Sequence, residues 1–245
     1  MNREVRLTRA FVDLADTLGA YFDPLDLFAR LSDHCVGLLA VDAVGVVMAD
    51  ARGELRTMAA SADDLGRLDV LQVRRDEGPS VDCFRTGEPV TADDLRTGDR
   101  WPEYTAHALE AGYLSVHALP LRLDGTAIGA VALANRRCDA LPDGDIAVAQ
   151  GMSDIVALTL THWPAESRRP QDLLTSLQAA VSAKATVELA KGLLAEYAGV
   201  SLAEALEMLR RHAERERTTL TSIARALAER TLVPDDLLQE ATKRS

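Results

Sequence analysis

Aromatic side chains are scarce in this chain: Phe, Trp and Tyr together make up 4% of its 245 residues, and only two are Trp. Its cores must be aliphatic, and each aromatic group that does occur is worth locating. Cysteine is scarcer still. Cys35, Cys83 and Cys138 lie far apart and form no C-x-x-C pair, which excludes a disulfide framework and a finger-type zinc site. They read as buried or bystander thiols. Also missing is any apolar run near the roughly 18 residues of a membrane span. The opening MNREVRLTRAFVDLADTLGA alternates charged with apolar residues, unlike a secretory leader. The expected location is the cytoplasm, with no membrane partner. Positive charge is outnumbered, 27 Lys and Arg against 38 Asp and Glu, for a formal net charge of -11. A protein that coats nucleic acid over its whole surface is thereby excluded, and any polyanion site must be local.

The hydrophobic fraction of 47% allows real cores, and the length favours two domains over one. The clearest boundary is THWPAESRRPQDLLTS, where Pro164 and Pro170 bracket a polar stretch between two apolar helical patterns. This predicts a first domain over 1–163, a linker over 164–170 and a second domain over 171–245. In the first, Leu25 to Leu39 reads as an amphipathic helix, and DAVGVVMAD and ELRTMAAS as two strands joined by the ARG turn. Further on, SVHALPLRLDGTAIGAVALANRR places two apolar strands around Asp124-Gly125, a dipeptide suited to a tight hairpin. A helix from about Asp143 to Trp163 would cover one face of the sheet. The predicted class is α+β. Between the hairpins, Gly78-Pro79, Gly87, Pro89, Gly98 and Trp101-Pro102 punctuate short helices and one strand at 89–91. Such an excursion commonly forms one wall of a pocket.

The stretch EGPSVDCFRTGEPV, the helix at Trp101 and the SVHALPLRLDGTAIGAVALAN hairpin, in that order, resemble a GAF domain over roughly Leu18 to Trp163. The resemblance implies a central antiparallel sheet and a pocket for an unidentified small molecule. Phe84, Trp101, Tyr104, His107 and His117 cluster along the expected wall. Two readings stand for them: plain core packing, the commoner fate of such groups, or ligand contact. No pair of His residues has metal spacing, and no cofactor is identifiable. Ser115 and His117 share a strand face but have no acidic partner that the sequence identifies, so no catalytic constellation emerges.

Beyond Pro170, Leu173, Leu174, Leu177, Ala180 and Val181 fall on one helical stripe, the pattern of a short coiled-coil seam. The stripe then changes sides: Val187, Leu189, Ala190, Leu193, Leu194 and Tyr197 form an apolar arc roughly opposite it. Lys184 and Lys191, seven residues apart, project alike about 10.5 Å from one another. Gly192 is no phosphate loop, since the second glycine and the preceding strand of that motif are missing. The helix is expected to continue through it and to stop at Gly199. Ser201 with Glu204 makes a capping box for a helix with a Leu202, Ala205, Leu206, Leu209, Ala213 stripe, off which Arg210 and Arg211 lie. Leu220, Ile223, Ala224 and Leu227 carry a third helix with Ser222 and Arg225 toward solvent, and Pro234 suits the first turn of a last one.

These residues resemble the ANTAR domain, an RNA-binding module of transcription antitermination regulators, over about Leu173 to Leu232. The resemblance rests on Lys184 followed by Ala190-Lys191-Gly192, on GVSLAEA, on LRRHA, and on Leu220 to Ala226; Leu189 stands where the family commonly has Gln. It implies a helical coiled-coil segment, a small three-helix bundle, and binding of paired hairpins in nascent transcripts. Lys184, Lys191, Gly192, Arg210, Arg211, Ser222 and Arg225 are the implied RNA-contacting residues. A homodimer through the Leu173–Val181 helix would match two hairpins. Against RNA contact stands a plainer reading, a solvated face of paired charges, with Lys191 three residues from Glu188 and Arg211 three from Glu214. Two rival functions stay open: a helix-turn-helix DNA reader, and a sensor acting through protein contacts.

Overall fold

The computed structural model describes residues 2–16, 23–138, 141–160 and 172–242, with side chains over 178–238 in the last stretch. These divide into two compact units, 1–17 with 27–178, and 18–26 with 179–245. The linker expected at 164–170 lies outside the described residues.

In the first unit five strands pair antiparallel in the order β2-β1-β5-β4-β3: β1 Ala43–Ala49, β2 Leu55–Ala60, β3 Val90–Ala92, β4 Ser115–Leu123 and β5 Thr126–Asn135. Both expected hairpins are present, and the strand expected at 89–91 is β3. Asp124 and Gly125 take φ of 48° and 77°, the double left-handed turn that matches strand twist. Side chains alternate along the strands, so register sorts them by face. Gly45 opposite Ala132, Ala43 opposite Ala134, and Ala118 opposite Ala132 make one face of very small residues. Val44 opposite Leu133, Val46 opposite Val131, and Leu119 opposite Val131 make the other face bulky.

The helices up to residue 160 are α1 Arg3–Ala15, α2 Pro24–Leu38, α3 Asp63–Arg75, α4 Pro79–Thr86, α5 Pro102–Glu110 and α6 Asp143–Leu160, of which α3, α4 and α6 pack directly on the sheet. α6 packs against β4 and carries α1, whose Leu14 carbonyl accepts a bond from Thr159 Oγ1 at 3.2 Å. α3 and α4 lie on the small-residue face. There the lack of side chains on the sheet lets a helix approach so closely that a Cβ on Gly45 would stand 2.1 Å from Asp69 Oδ2. α3 was not foreseen. Its Leu65 and Leu68 are buried at helical spacing, but Asp63, Asp64, Gly66 and Arg67 dilute the pattern.

Four helices follow one another, α7 Asp172–Ala198, which enters the second unit at Ala179, then α8 Leu202–Arg215, α9 Leu220–Ala228 and α10 Pro234–Thr242. Gly192 is inside α7 as expected, and Gly199 follows it with φ of 66°. The Ser201–Glu204 capping box is formed in both directions. Ala205, Leu209 and Ala213 of α8, and Leu220, Ile223, Ala224 and Leu227 of α9, are buried as expected. Leu202 is not: it opens α8, and its first-turn position leaves it 54% exposed. The apolar arc on α7 also needs correction. Val187, Ala190 and Leu194 are buried, but Leu189, Leu193 and Tyr197 point about 90° away around the helix and are exposed. The side chains of Leu173, Leu174 and Leu177 lie outside the described residues.

One member of this unit comes from the far end of the chain. Asp23, 2% exposed, accepts the Thr221 amide at 2.8 Å with Oδ2 and the Leu25 amide at 3.0 Å with Oδ1. Thr219 already caps α9 by accepting from the Ser222 amide at 3.0 Å. A helix start leaves several amides without intrahelical acceptors, and here two are met, one locally and one by a carboxylate 198 residues away.

Candidate nucleic-acid interface and sensor pocket

Lys184 and Lys191 do share one face of α7, and Glu188 stands between them. Lys184 Nζ is 2.8 Å from Glu188 Oε1, and Lys191 Nζ is 2.9 Å from Oε2. Burial pushes the Glu188 carboxyl up, but the two ammonium groups outweigh it and hold the acid below its ordinary value. The three side chains form a strap of net charge +1. Gly192 lies beside it, exposed, and a Cβ there would meet nothing within 4 Å.

The remaining implied contacts are distributed over α8 and α9. Arg211 Nε pairs with Glu207 Oε1 at 2.8 Å, one turn back, rather than with Glu214. Arg210 is half-buried and Arg225 exposed; among the described residues neither makes an ion pair. Ser222 is exposed, with Oγ 2.7 Å from Thr219 Oγ1 in the α9 cap.

The five candidates for the sensor pocket part company. Trp101 and Tyr104, buried in α5 and its approach, meet edge to face at 6.4 Å, and Phe84 packs against the same cluster on the small-residue face. Trp101 Nε1 donates to Asp82 Oδ2 at 2.8 Å, and the Arg100 guanidinium lies 4.8 Å over the indole. Trp101 and Tyr104 are buried, and the indole N–H is satisfied. His117 is paired with Leu133, so strand alternation puts it on the bulky face, where its Nε2 accepts the Leu141 amide at 3.3 Å. His107 is exposed, 3.3 Å from Glu110, and lines a groove of about 500 Å³ between α3 and α5 together with Arg67 and Leu71.

Behind that groove, on the inner side of α3, is a polar cluster the sequence reading missed. Asp69, Gln72 and Ser80 are fully buried. Gln72 Nε2 donates to Asp69 Oδ1 at 2.7 Å and to Ser80 Oγ at 3.2 Å, while its Oε1 accepts the Ser80 amide at 3.0 Å. Asp69 Oδ2 has no hydrogen-bond partner. Burial raises this carboxyl to about 7, opposed only in part by Gln72. Burial also pushes the Cys35 and Cys83 thiols up to about 12, which leaves them protonated and unreactive. Among the described residues no group of three or more His, Cys, Asp or Glu could hold a metal ion, and no helix is long and apolar enough to cross a membrane.

Residues 23–161, more than half of the chain, match the GAF domain family, and residues 175–227 match the ANTAR domain. The chain belongs to the GAF family, with an ANTAR domain behind it. No curated protein matches it. Its fold is similar to the GAF domain of an Acinetobacter phosphoenolpyruvate-protein phosphotransferase, at TM-score 0.53 and 14% identity over 69% of this chain and 98% of that one. The corresponding domain from Coxiella burnetii gives 0.52 and 16% over 68% and 98%. At such identity the likeness establishes the fold alone. The GAF–ANTAR pairing joins a sensor domain to an RNA-binding regulatory domain. In the GAF unit the small-residue face, with Asp69 and the Trp101–Tyr104 pair, is the polar and aromatic interior next to the α3–α5 groove. In the ANTAR unit the Lys-Glu-Lys strap lies on α7.

Proposed function

We propose that this GAF–ANTAR chain is a signal-responsive antitermination regulator. Its ANTAR unit binds paired small hairpins in a nascent transcript so that a competing terminator hairpin does not form, and its GAF unit responds to a small ligand on the α3–α5 side. The observation that carries the reading is the strap. Two lysines seven residues apart are drawn to one carboxylate, beside a glycine with open space where a side chain would stand. A ribose-phosphate backbone can approach that low stretch closely, and its phosphates can replace Glu188 as partners of both ammonium groups. Arg210, Arg211 and Arg225 supply further cations, and Ser222 a neutral hydrogen bond. Both halves regulate rather than catalyse, in the cytoplasm, and a second copy joined through the Leu173–Val181 helix supplies the face for the second hairpin. Reading of duplex DNA is disfavoured because α9, the helix that would enter a groove, carries Arg225 as its one basic residue.

The full-length Lys184→Ala/Lys191→Ala variant tests this. On a tandem-hairpin RNA at low salt its affinity is expected to fall at least about tenfold, since two charge-assisted phosphate contacts are lost. Both side chains are partly covered, 29% and 14% exposed, so circular dichroism of the variant serves as the control that α7, where alanine favours the helix, stays formed. Equal affinity in the variant and the parent would sink the residue assignment.

A further inference from the structure

Leu189, Leu193 and Tyr197 repeat every four residues along α7 and are 55%, 45% and 55% exposed. Three large apolar side chains in register on one helix face are not an ordinary scatter of surface residues. We propose that this stripe is a stacking surface for unpaired bases of an RNA loop, an inference that rests on the RNA-binding reading given above.

Three observations point to bases rather than to phosphate. The first is continuity: Gly192 lies between the strap and the stripe around the helix, and with open space at its Cβ position it leaves no ridge between the two. A single strand gripped at Lys191 passes directly onto Leu189 and Leu193. The second is charge. Glu196 is exposed within the stripe, and Asp235 accepts the Tyr197 hydroxyl at 2.9 Å, so carboxylates flank the apolar residues and repel a phosphodiester. Neutral bases with π-faces are the part of RNA that fits such a surface, and the bond to Asp235 fixes the edge of the phenol while leaving the ring exposed. The third is insufficiency elsewhere. The strap on α7 has a net charge of only +1, and Arg210 and Arg225, the implied cations without an ion pair among the described residues, lie on α8 and α9, so phosphate contacts alone give the α7 face little to hold a transcript with.

The probe is a pool of stem-loop RNAs with randomised loops, compared with the same stems carrying abasic loops, bound to the full-length protein. The parent is expected to prefer the base-bearing loops by about tenfold, and Tyr197→Ala to abolish that preference. Tyr197→Phe keeps the ring and loses only the hydroxyl bond, so it should retain the preference. A Tyr197→Trp variant should show, beyond the Trp101 and Trp163 signal of the parent, indole fluorescence quenched by the base-bearing pool and not by the abasic one. Equal discrimination by the parent and Tyr197→Ala overturns the proposal, as does a shift to smaller species in sedimentation for Leu193→Asp, which would make the stripe a contact between copies. In either case the lysine variant can still lose RNA, and the function proposed above survives. A parent that binds neither pool overturns both.

Discussion

Between pH 3.8 and about 7 the GAF unit is expected to lose on the order of 4 kcal/mol of stability, and Asp69→Asn to abolish the loss. The sign follows from where the proton resides. Burial lifts the Asp69 carboxyl to about 7, so in this window the folded chain keeps a proton that the unfolded chain has released. Folding then takes up a proton, and stability falls by about 1.4 kcal/mol for each unit of rising pH. Below 3.8 both states are protonated and the contribution is fully present; above about 7 both are ionised and the loss is complete. The geometry explains why the ion is so costly. Gly45 closes over Oδ2, which has no hydrogen-bond donor, Gln72 supplies one bond to Oδ1, and the nearby Tyr104 phenol is itself buried and held neutral. Urea unfolding of the full chain carrying Trp163→Phe, so that Trp101 alone fluoresces, reads the effect in pH steps from about 4 to about 8. Parallel pH profiles for the parent and Asp69→Asn would rule the account out.

Asp23→Ala is expected to loosen the start of α9 by about 2 kcal/mol, the usual cost when a buried amide loses a charged acceptor. Because Asp23 is almost fully enclosed, no water can take over as acceptor, and Thr219 is already committed to the Ser222 amide. The α9 side chains most affected are Ile223, Ala224 and Leu227, which are buried in the helical bundle. Hydrogen exchange on the full-length protein is the direct measurement. Protection of the Thr221 amide should drop about thirtyfold, with amides of β1 and β5 unchanged. If the Thr221 amide in the variant exchanges as slowly as in the parent, the carboxylate is not what holds it.

These two residues also mark where sequence reading stopped. The hairpin turn at Asp124-Gly125, the cap at Gly199, the capping box at Ser201 and the α9 core stripe each follow from neighbours within one turn, so they could be read locally. The Asp23–Thr221 pair spans 198 residues and carries no local signal. Asp69 was missed with α3, whose buried face includes a carboxylate and an amide, Asp69 and Gln72, where periodicity expects apolar residues. His117 was grouped with Trp101 and Tyr104, but strand alternation places it across the sheet from them. α7 is apolar on several sides, so its pattern could not tell the buried Val187, Ala190 and Leu194 from the exposed Leu189, Leu193 and Tyr197. The seven-residue spacing of Lys184 and Lys191 does put both on one side of α7, and the Lys191–Glu188 pair of the plainer reading is formed as well, with Lys184 drawn to the same carboxylate.

The strap has a consequence for the thermodynamics of transcript binding. Bare cationic sites gain affinity mainly by freeing small ions condensed on the nucleic acid, and they weaken steeply as salt rises. Here each lysine already has a tethered counter-anion, and under the function proposed above an arriving phosphate would exchange with Glu188. The exchange would turn the Glu188 carboxylate out to solvent, where it takes up a cation as others leave the RNA, so the net release of ions would be small. On that proposal loops would be told apart by their shape and bases, with a dependence on ionic strength that is shallow for RNA binding.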